Sequence, residues 1–460
     1  MSKTRASSSV FTSVMHVCGS AAFALSLLIG AATLQQPSAS RAAIPASAVR
    51  SGVSVVYIPA VTQRQQRRQT ALKLWNAVHQ KAAMLKQSLS ATFVAPDGTP
   101  AGTWTVSLAE HPSWIVYETQ GNAKPVAVLS ADAIAKSIVA ESLVALPAPV
   151  NCDVNGMSTD KQNVIRIETS CIAKSGYVYD VRQMASALKQ AFDLSMPDVA
   201  LSVTPVAGKL TDAAGAGVGN VVLMATGRSN FKGSGEGRKN NVRKAIGQQV
   251  NNVVVPTDAD FSFNDVLGGP VTTSAGWSMA LTIFEGVNLR PAPGGGICQA
   301  STTVYRAALK AGLPIVEQKS HSLYVSYYEA YGVGQDATVF PGQQNLRFHN
   351  NTGAPLVLQS YYEGDDAYVN ILGRPDGRTV TIDGPYFGQT APADLVVNGR
   401  ALRNSEIAWI RTVTNNDGSQ QKEVLVSRYN AVPKSLVAKW PATSQQIVHA
   451  AAPDLVADER

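Results

Sequence analysis

One cysteine stands at the start of a helical pattern in the middle of the chain. Cys298 follows the glycines 294–296 and precedes small and apolar residues at helical spacing, and the pattern ends at Gly312 and Pro314. The dipole and the unpaired N–H groups of a first helical turn lower the pKa of a thiol placed there. The pattern predicts a nucleophilic thiol that attacks a carbonyl carbon, with N–H groups at the turn to hold the oxyanion. The alternative is a tight packing turn with a buried, inert cysteine.

A thiol nucleophile needs a general base, and His321 is the best placed of the six histidines. It opens the segment HSLYVSYY, whose alternation predicts a strand that packs beside the helix. Asp336 follows a Gly-Val-Gly turn and is expected to orient the imidazole, as in a catalytic triad. His349 lies beside two asparagines and is expected to be exposed. A purely structural His321 is the alternative.

Residues around the glycine turn are expected to bind the substrate. They are Gly295, Gly296, Gln299, Ser301, Thr302 and Tyr324. Aromatic residues nearby can stack on sugars or peptides, or can instead fill a core; they are Tyr324, Tyr327, Tyr328, Tyr331 and Trp277. A basic group can meet an acidic wall polymer or form a solvated helix face; it comprises Arg228, Lys232, Arg238, Lys239, Arg243 and Lys244.

Other motifs do not predict a cofactor. The glycine-rich runs GAGVGN and FKGSGEGRK lack the Gly-Lys-Ser/Thr ending of a phosphate loop. The histidines show no metal-ligand spacing. We therefore expect neither a metal nor another cofactor.

The first 48 residues predict export. Lys3 and Arg5 precede residues 6–40, which contain no Asp, Glu, Lys or Arg and have an apolar centre. This pattern is typical of a signal peptide, and an uncleaved membrane anchor is the alternative. Either places the remaining chain outside the cytoplasm, in the cell envelope. We expect the membrane to be contacted only through an uncleaved leader.

Two further cysteines suit that compartment, because disulfides persist outside the cytoplasm. Cys152 and Cys171 enclose eighteen residues with an Asn-Gly turn between them. This spacing predicts a local disulfide and leaves Cys298 as a free thiol.

Several ordered motifs resemble the VanW family over about residues 221–373. They are ATGRSNFKGSGEGRKNNV, FSFNDVLGG, the run from GGGICQASTTVYRAALKAG to GVGQDATVF, and LRFHNNTGAPL. The segment GYVYDVRQMASALKQAFD resembles the peptidoglycan-binding-like domain that often precedes VanW domains.

The resemblance implies a bacterial envelope protein that acts at peptidoglycan, with an accessory role in glycopeptide resistance. It further implies that some members are L,D-transpeptidases with a catalytic cysteine at the position of Cys298, and that His321 and Asp336 match the family's HSL and GRDA motifs. Gln335 replaces the arginine of the second motif, which the family pattern would assign to a substrate carboxylate. The chain also lacks the Ser-His-Gly-Cys signature of ordinary L,D-transpeptidases.

The chain of 460 residues is long enough for several folded units, and 45% apolar with 15% charged residues excludes a disordered or fibrous protein. We expect a multi-domain α+β protein. Its predicted parts are a leader (1–48), a linker (49–68), a peptidoglycan-binding-like α+β module (69–209), a hinge (210–220), a VanW-like α+β domain (221–373), a β-rich appendage (374–440) and a loose tail (441–460). The module and the VanW-like domain are expected to fold separately.

Two functions remain open at this point. In the first, a Cys298–His321 pair transfers acyl groups between peptidoglycan stem peptides. In the second, the same glycine-rich groove binds wall peptides without turnover, as an accessory protein. The net charge of +7 permits contact with acidic surfaces, and we expect peptidoglycan rather than nucleic acid as the partner. The oligomeric state stays open.

Overall fold

The computed structural model describes residues 60–96, 98–120, 124–284, 286 and 288–430. The predicted leader and the predicted loose tail lie outside these residues. Helices and sheets are mixed along the described part, which confirms the α+β class. No helix in this part is long and apolar enough to cross a membrane.

The helices of the described part are α1 (Ala60–Met84), α2 (Ala131–Ala140), α3 (Val181–Asp193), α4 (Glu236–Lys244), α5 (Phe263–Leu267) and α6 (Ile297–Lys310), with a π-helix at Ala245–Val250 and 3-10 turns at Pro112–Trp114 and Ser326–Tyr328. The strands are β1 (Ser88–Val94), β2 (Pro100–Ser107), β3 (Ile115–Gln120), β4 (Lys124–Leu129), β5 (Cys152–Thr159), β6 (Ile165–Thr169), β7 (Gly176–Val178), β8 (Asp198–Ser202), β9 (Thr204–Val206), β10 (Lys209–Thr211), β11 (Val221–Asn230), β12 (Val253–Val255), β13 (Asp260–Ser262), β14 (Met279–Phe284), β15 (Asn288–Pro293), β16 (Ile315–Glu317), β17 (Arg347–His349), β18 (Leu356–Glu363), β19 (Asp366–Gly373), β20 (Thr379–Phe387), β21 (Val396–Val397), β22 (Arg400–Ala401), β23 (Glu406–Thr414) and β24 (Gln420–Arg428).

The N-terminal region packs helices against a small sheet of the order β2-β1-β8. Side chains cap the starts of α2 and α3: Ser130 Oγ accepts from Ala133 N at 3.2 Å, and Asp180 Oδ1 accepts from Gln183 N at 2.9 Å. The predicted linker differs from the structure, because residues 60–68 belong to α1. The basic run at 64–68 is exposed and helical.

Seven strands form one closed sheet in the order β10-β11-β19-β18-β12-β6-β5. Strands β5 and β6 come from the region predicted as a separate module, whereas β11, β12, β18 and β19 come from the predicted VanW-like domain. The structure therefore differs from the expected hinge, because strands from both sides share one hydrogen-bonded sheet. The glycine-rich segment is a turn between β10 and β11, in which the Asp212 carboxylate accepts from the N–H groups of Ala216, Gly217 and Gly219. The exact domain limits stay predictions.

Helix α6 packs against strand β11 of this closed sheet. A Cβ added at Gly227 would lie 2.1 Å from the carbonyl oxygen of Thr303 and 2.6 Å from the amide nitrogen of Ala307. Only glycine permits this close approach of strand and helix. The helix is buried along most of its length, as its alanine-rich sequence predicts, and the chain turns at Gly312 with φ of +70°. Strand β11 therefore fixes the position of the middle of α6 against the closed sheet.

The segment HSLYVSYY is not the predicted strand. Residues 321–325 form an irregular loop that leads into the 3-10 turn Ser326–Tyr328. The carboxylate of Asp336 accepts the backbone N–H of His321 at 2.8 Å, which fastens the start of the segment to a loop instead of to a neighbouring strand. Burial in this segment does not alternate: His321, Leu323, Tyr324 and Tyr328 are buried, whereas residues 325–327 are partly exposed.

Strands β20, β23 and β24 form the C-terminal sheet. Asn416-Asp417-Gly418 lie in the turn of the hairpin that joins β23 and β24. This sheet contacts the rest of the chain through backbone carbonyls: Ser427 Oγ donates to Gly334 O at 2.5 Å, and Trp409 Nε1 donates to Val333 O at 2.8 Å. It thereby supports the loop that carries Asp336.

Candidate functional site

Cys298 is the second residue of α6, as the sequence predicts. The helix begins after Gly296, whose φ of +110° is in the left-handed region and whose added Cβ would lie 2.9 Å from Arg238. The thiol is partly buried and donates to the carbonyl oxygen of Val339 at 3.5 Å. The glycine turn therefore places a thiol at the positive end of a helix.

His321 and Asp336 lie next to each other, as the triad hypothesis requires. His321 Nδ1 and Asp336 Oδ2 form a short hydrogen bond, and both residues are buried. The other imidazole nitrogen is not held by the carboxylate, and His321 is close enough to the Cys298 thiol to lower the pKa of that thiol. The structure thus brings the three predicted catalytic residues together in the order thiol, imidazole, carboxylate.

The environment favours the charged pair of thiolate and imidazolium. Burial alone would raise the pKa of the Cys298 thiol, but the hydrogen bond and charge of His321, with a contribution from Arg238, hold it below its usual value. Burial alone would lower the pKa of His321, but Tyr328 and the hydrogen bonds to Asp336 and Cys298 raise it well above its usual value. Both shifts favour the state in which the imidazole, and not the thiol, carries the proton.

Arg306 organises the loop between these residues. Its buried guanidinium donates to five backbone carbonyls, those of Arg228, Tyr328, Ala330, Gly332 and Gln335, at 2.6 to 2.9 Å. Burial lowers its pKa to about 10, so the group stays charged at neutral pH. Two helical turns after Cys298, Arg306 thus fixes the chain just before Asp336.

Cys298 and His321 open onto a cavity of about 450 Å³. One wall is the hairpin β14–β15 and another is residues 338–341 after Asp336. The volume lies within the range of roughly 300–1,000 Å³ that is typical of small-molecule sites. The cavity gives a substrate carbonyl a place beside the thiol.

The residues predicted to bind substrate divide into two groups. Gly295 and Gly296 line the cavity, whereas Gln299, Ser301, Thr302 and Tyr324 are buried and lie outside its lining. Gln299 Oε1 accepts from Arg238 at 2.8 Å, and Ser301 Oγ donates to Ala337 O at 2.6 Å. In this structure they support the site instead of facing it, and a substrate role for them stays a prediction.

The aromatic set divides in the same way. Tyr327 and Tyr328 line the cavity, Tyr324 packs edge-on against Tyr429, and Trp277 is buried in the core. Tyr331 is exposed and stacks with Arg228 at 4.0 Å from its ring centre.

Several of the basic residues form ion pairs or cation–π contacts with neighbouring side chains. Arg228 pairs with Asp366 at 2.7 Å, Lys239 pairs with Glu236 at 3.4 Å, and Lys244 lies over the Trp277 ring. These contacts fit a structural role on the surface. His349 pairs with Asp258 and Asp260, outside the cavity.

The structure joins Cys152 and Cys171 in a disulfide with a Cα–Cα distance of 5.4 Å. Cys298 is the free cysteine of the described residues. The same residues contain no group of three or more His, Cys, Asp or Glu side chains arranged to hold a metal ion. Gln335, in the position of the family arginine, is buried and does not line the cavity.

Sequence analysis missed Arg306 and Tyr429. An arginine between Tyr305 and Ala307 in an apolar helix is a signal that could have been noticed, since buried charges need partners. Tyr429 donates to Asp336 Oδ1 at 2.7 Å from a position 93 residues away in sequence. No local pattern indicates that contact.

Residues 237–372 match the model of a family described as VanW like protein, so the chain contains a VanW-like domain. Among curated proteins, the uncharacterized protein YoaR of Bacillus subtilis (strain 168) is 35% identical over 141 residues, which are 31% of this chain and 45% of the relative. The match therefore spans less than half of that relative's length. No solved structure matches the chain. The family match confirms the resemblance that the motifs indicate. Cys298, His321 and Asp336 all lie within the matched residues.

Proposed function

We propose that this protein is an exported cell-envelope enzyme that transfers acyl groups between peptidoglycan stem peptides through a thioester on Cys298. The observation that carries the proposal is that Cys298 and His321 line the same cavity, while Asp336 holds Nδ1 of the His321 imidazole. A merely structural cysteine has no need of a buried imidazole that is itself held by a carboxylate. The peptidoglycan substrate is inferred from the family resemblance.

The residues supply a balanced two-step reaction. In the first step the Cys298 thiolate attacks the carbonyl carbon of a stem amide, the C–S bond forms, the C–N bond breaks, and the His321 imidazolium gives its proton to the leaving amine. In the second step an amine of another stem attacks the thioester carbon, a new C–N bond forms, the C–S bond breaks with the Cys298 thiolate as leaving group, and His321 takes up the proton that the amine loses. The thiolate and imidazolium are then restored.

Asp336 acts through His321. Its carboxylate holds Nδ1, which keeps the other imidazole nitrogen toward the thiol, and it stabilises the positive charge on the ring. Arg238 lies at the cavity and favours the thiolate form of Cys298. The pair is thus prepared for attack before a substrate binds.

Peptide binding without turnover is the second candidate. Gln335 replaces the family arginine, so a contact to a substrate carboxylate that the family pattern assigns to this position is absent from the sequence. This substitution favours a site that holds a peptide without aligning it for reaction.

Incubation with purified muropeptides followed by mass spectrometry tests the two candidates. The enzyme is expected to form a thioester adduct on Cys298 and a new cross-linked or exchanged product, and Cys298→Ala is expected to form neither. Ser186→Ala, on the exposed side of α3, is the control for an unrelated helical substitution. Retention of muropeptides by both wild type and Cys298→Ala, with no adduct and no product, would favour the binding protein.

A further inference from the structure

The cavity beside Cys298 has an apolar lining. Side chains that contribute carbon surface to it include Leu281, Ile283, Phe284, Leu289, Val325 and Phe340. None of the described residues that line it carries a carboxylate. A charged substrate group placed there would lose its hydration without gaining an opposite charge from this wall.

The arginine of the lining already has other partners. Arg238 donates to Gln299 Oε1 at 2.8 Å, and its guanidinium lies 4.7 Å from the ring centre of Tyr327. Its charge also lowers the pKa of Cys298. Arg238 therefore stabilises the thiolate. The hairpin side chains in the lining are apolar except for Thr282, whose hydroxyl already donates to Ala280 O at 3.3 Å.

We propose that the acyl group carried by Cys298 is aliphatic and packs against the hairpin β14–β15. This inference rests on the proposed acyl transfer and narrows its substrate class to acyl groups with uncharged, apolar side chains or tails. Each methylene that becomes buried should increase the acylation rate about fourfold until the cavity is full, which corresponds to about 0.8 kcal/mol.

A chain-length series of p-nitrophenyl esters tests the proposal. Cys298 attacks the ester carbonyl carbon, the S–C bond forms, the C–O bond breaks, and p-nitrophenolate leaves. We expect acylation, followed by absorbance and by intact mass, to be at least about tenfold faster for butyrate than for acetate, and faster again for octanoate. Leu281→Asn should lower the octanoate rate and leave the acetate rate nearly unchanged, because only the longer chain reaches the hairpin.

Met279→Asn is the matched control, because Met279 lies on the same strand but is 52% exposed and outside the cavity lining. It should preserve the chain-length preference. Iodoacetamide labelling of Cys298 at the wild-type rate would verify that each variant is folded. Equal rates for all chain lengths would overturn the aliphatic class alone, whereas no acylation of Cys298 by any ester would overturn the proposed acyl transfer and this inference with it.

An independent observation concerns Tyr429, which follows strand β24 and lies outside the matched VanW-like region. Its hydroxyl donates to Asp336 Oδ1 at 2.7 Å, whereas His321 contacts Oδ2. The adjacent backbone is fastened on both sides, by Asn430 N to Ser322 O at 2.7 Å and Tyr429 N to Ser405 O at 3.1 Å. The C-terminal sheet thus reaches the far oxygen of the triad carboxylate.

We infer that Tyr429 is a positioning residue, which fixes the carboxylate plane of Asp336 so that Oδ2 faces the imidazole. Burial raises the pKa of Tyr429 well above its usual value, so the hydroxyl stays a donor at every pH at which the thiol titrates. Removal of this donor frees the carboxylate to rotate. The imidazolium, and through it the thiolate, should then be less stable.

The variant Tyr429→Phe removes only the hydroxyl. We expect the midpoint pH of Cys298 alkylation to rise and the rate at neutral pH to fall about tenfold. Tyr386→Phe, in the same C-terminal sheet, should leave the midpoint unchanged. In a His321→Ala background, Tyr429→Phe should have no further effect, because Tyr429 acts through His321. An unchanged midpoint in Tyr429→Phe, or an undiminished effect without His321, would overturn the inference.

Discussion

Ser301 donates a hydrogen bond of 2.6 Å to the carbonyl oxygen of Ala337, the residue that follows Asp336. Thr302, beside it, accepts from the Ala337 N–H at 3.1 Å. The second turn of the helix that carries the nucleophile therefore also holds the loop that carries Asp336. A change in either contact should disturb the distance between Cys298 and His321.

Ser301→Ala tests this link. The buried carbonyl of Ala337 would lose its side-chain donor, which we expect to lower the free energy of unfolding by about 1–3 kcal/mol and to slow the alkylation of Cys298. Urea unfolding and iodoacetamide kinetics measure the two effects. Ser186→Ala, at an exposed position of α3, should change neither. Wild-type alkylation by a destabilised Ser301→Ala would show that the link does not position the thiol.

The pH dependence of Cys298 follows from the opposite pKa shifts of the pair. The thiol pKa is lowered and the imidazole pKa is raised, and both shifts favour the thiolate–imidazolium pair over the neutral pair. Alkylation should increase as the pH rises through the thiol pKa, with a midpoint below the usual value of about 8.5. His321→Ala should move that midpoint upward. A midpoint at or above the usual value in the wild type would contradict the predicted ion pair.

Acyl transfer should respond differently at high pH. It needs the imidazolium in its first step, so the rate should fall as the pH rises through the raised pKa of His321, while alkylation stays high. A bell-shaped rate profile beside a sigmoidal alkylation profile is the expected pair of curves.

Arg306→Lys should lower the stability of the loop before Asp336, although Arg306 does not line the cavity. A lysine has three donors on one nitrogen and cannot reach the five carbonyls that Arg306 holds. We expect a loss of about 3 kcal/mol or more in the free energy of unfolding, because several buried carbonyls lose their partners. Arg182→Lys, on the exposed side of α3, is the control and should be neutral.

Glu406 should make the free energy of unfolding of the C-terminal sheet decrease at acidic pH. Its buried carboxylate is held by Arg400 and Arg428, which lower its pKa to about 2. Because the folded pKa is below the unfolded value of about 4.3, the stabilisation is complete above that value and is lost as the pH falls toward 2. Unfolding of Glu406→Gln should therefore depend less on pH between about 5 and 2 than that of the wild type. The exposed Glu141→Gln should behave as the wild type.

The disulfide is expected to stabilise the closed sheet and to leave the thiol chemistry intact. Cys152 lies on β5, which pairs with β10, and Cys171 follows β6. A Cys152→Ser, Cys171→Ser double variant should lose about 3 kcal/mol of unfolding free energy. Its Cys298 alkylation below the unfolding transition should be unchanged. Intact mass of the native protein, alkylated without reduction, should not show a label on Cys152 or Cys171.

The local features of the site could be predicted from the sequence. Helix α6, with Cys298 near its start and a turn at Gly312, follows from the spacing of small residues and from glycines that allow a positive φ. The caps Ser130 and Asp180 and the Cys152–Cys171 pair depend on neighbouring residues in the same way. In each case the residues that interact are close in sequence.

The remaining features of the fold and the site depend on contacts between segments that are distant in sequence, so only the tertiary structure decided them. The alternation after His321 resembles a strand, but Asp336 and Arg306 hold that segment as a loop. The glycine-rich residues after Asp212 resemble a flexible linker in sequence. In the structure they form a turn held by the Asp212 carboxylate, because the strands on both sides pair within one closed sheet. Tyr429 reaches Asp336 only because the C-terminal sheet packs there, and hydrogen bonds over 93 residues leave no periodic trace in the sequence.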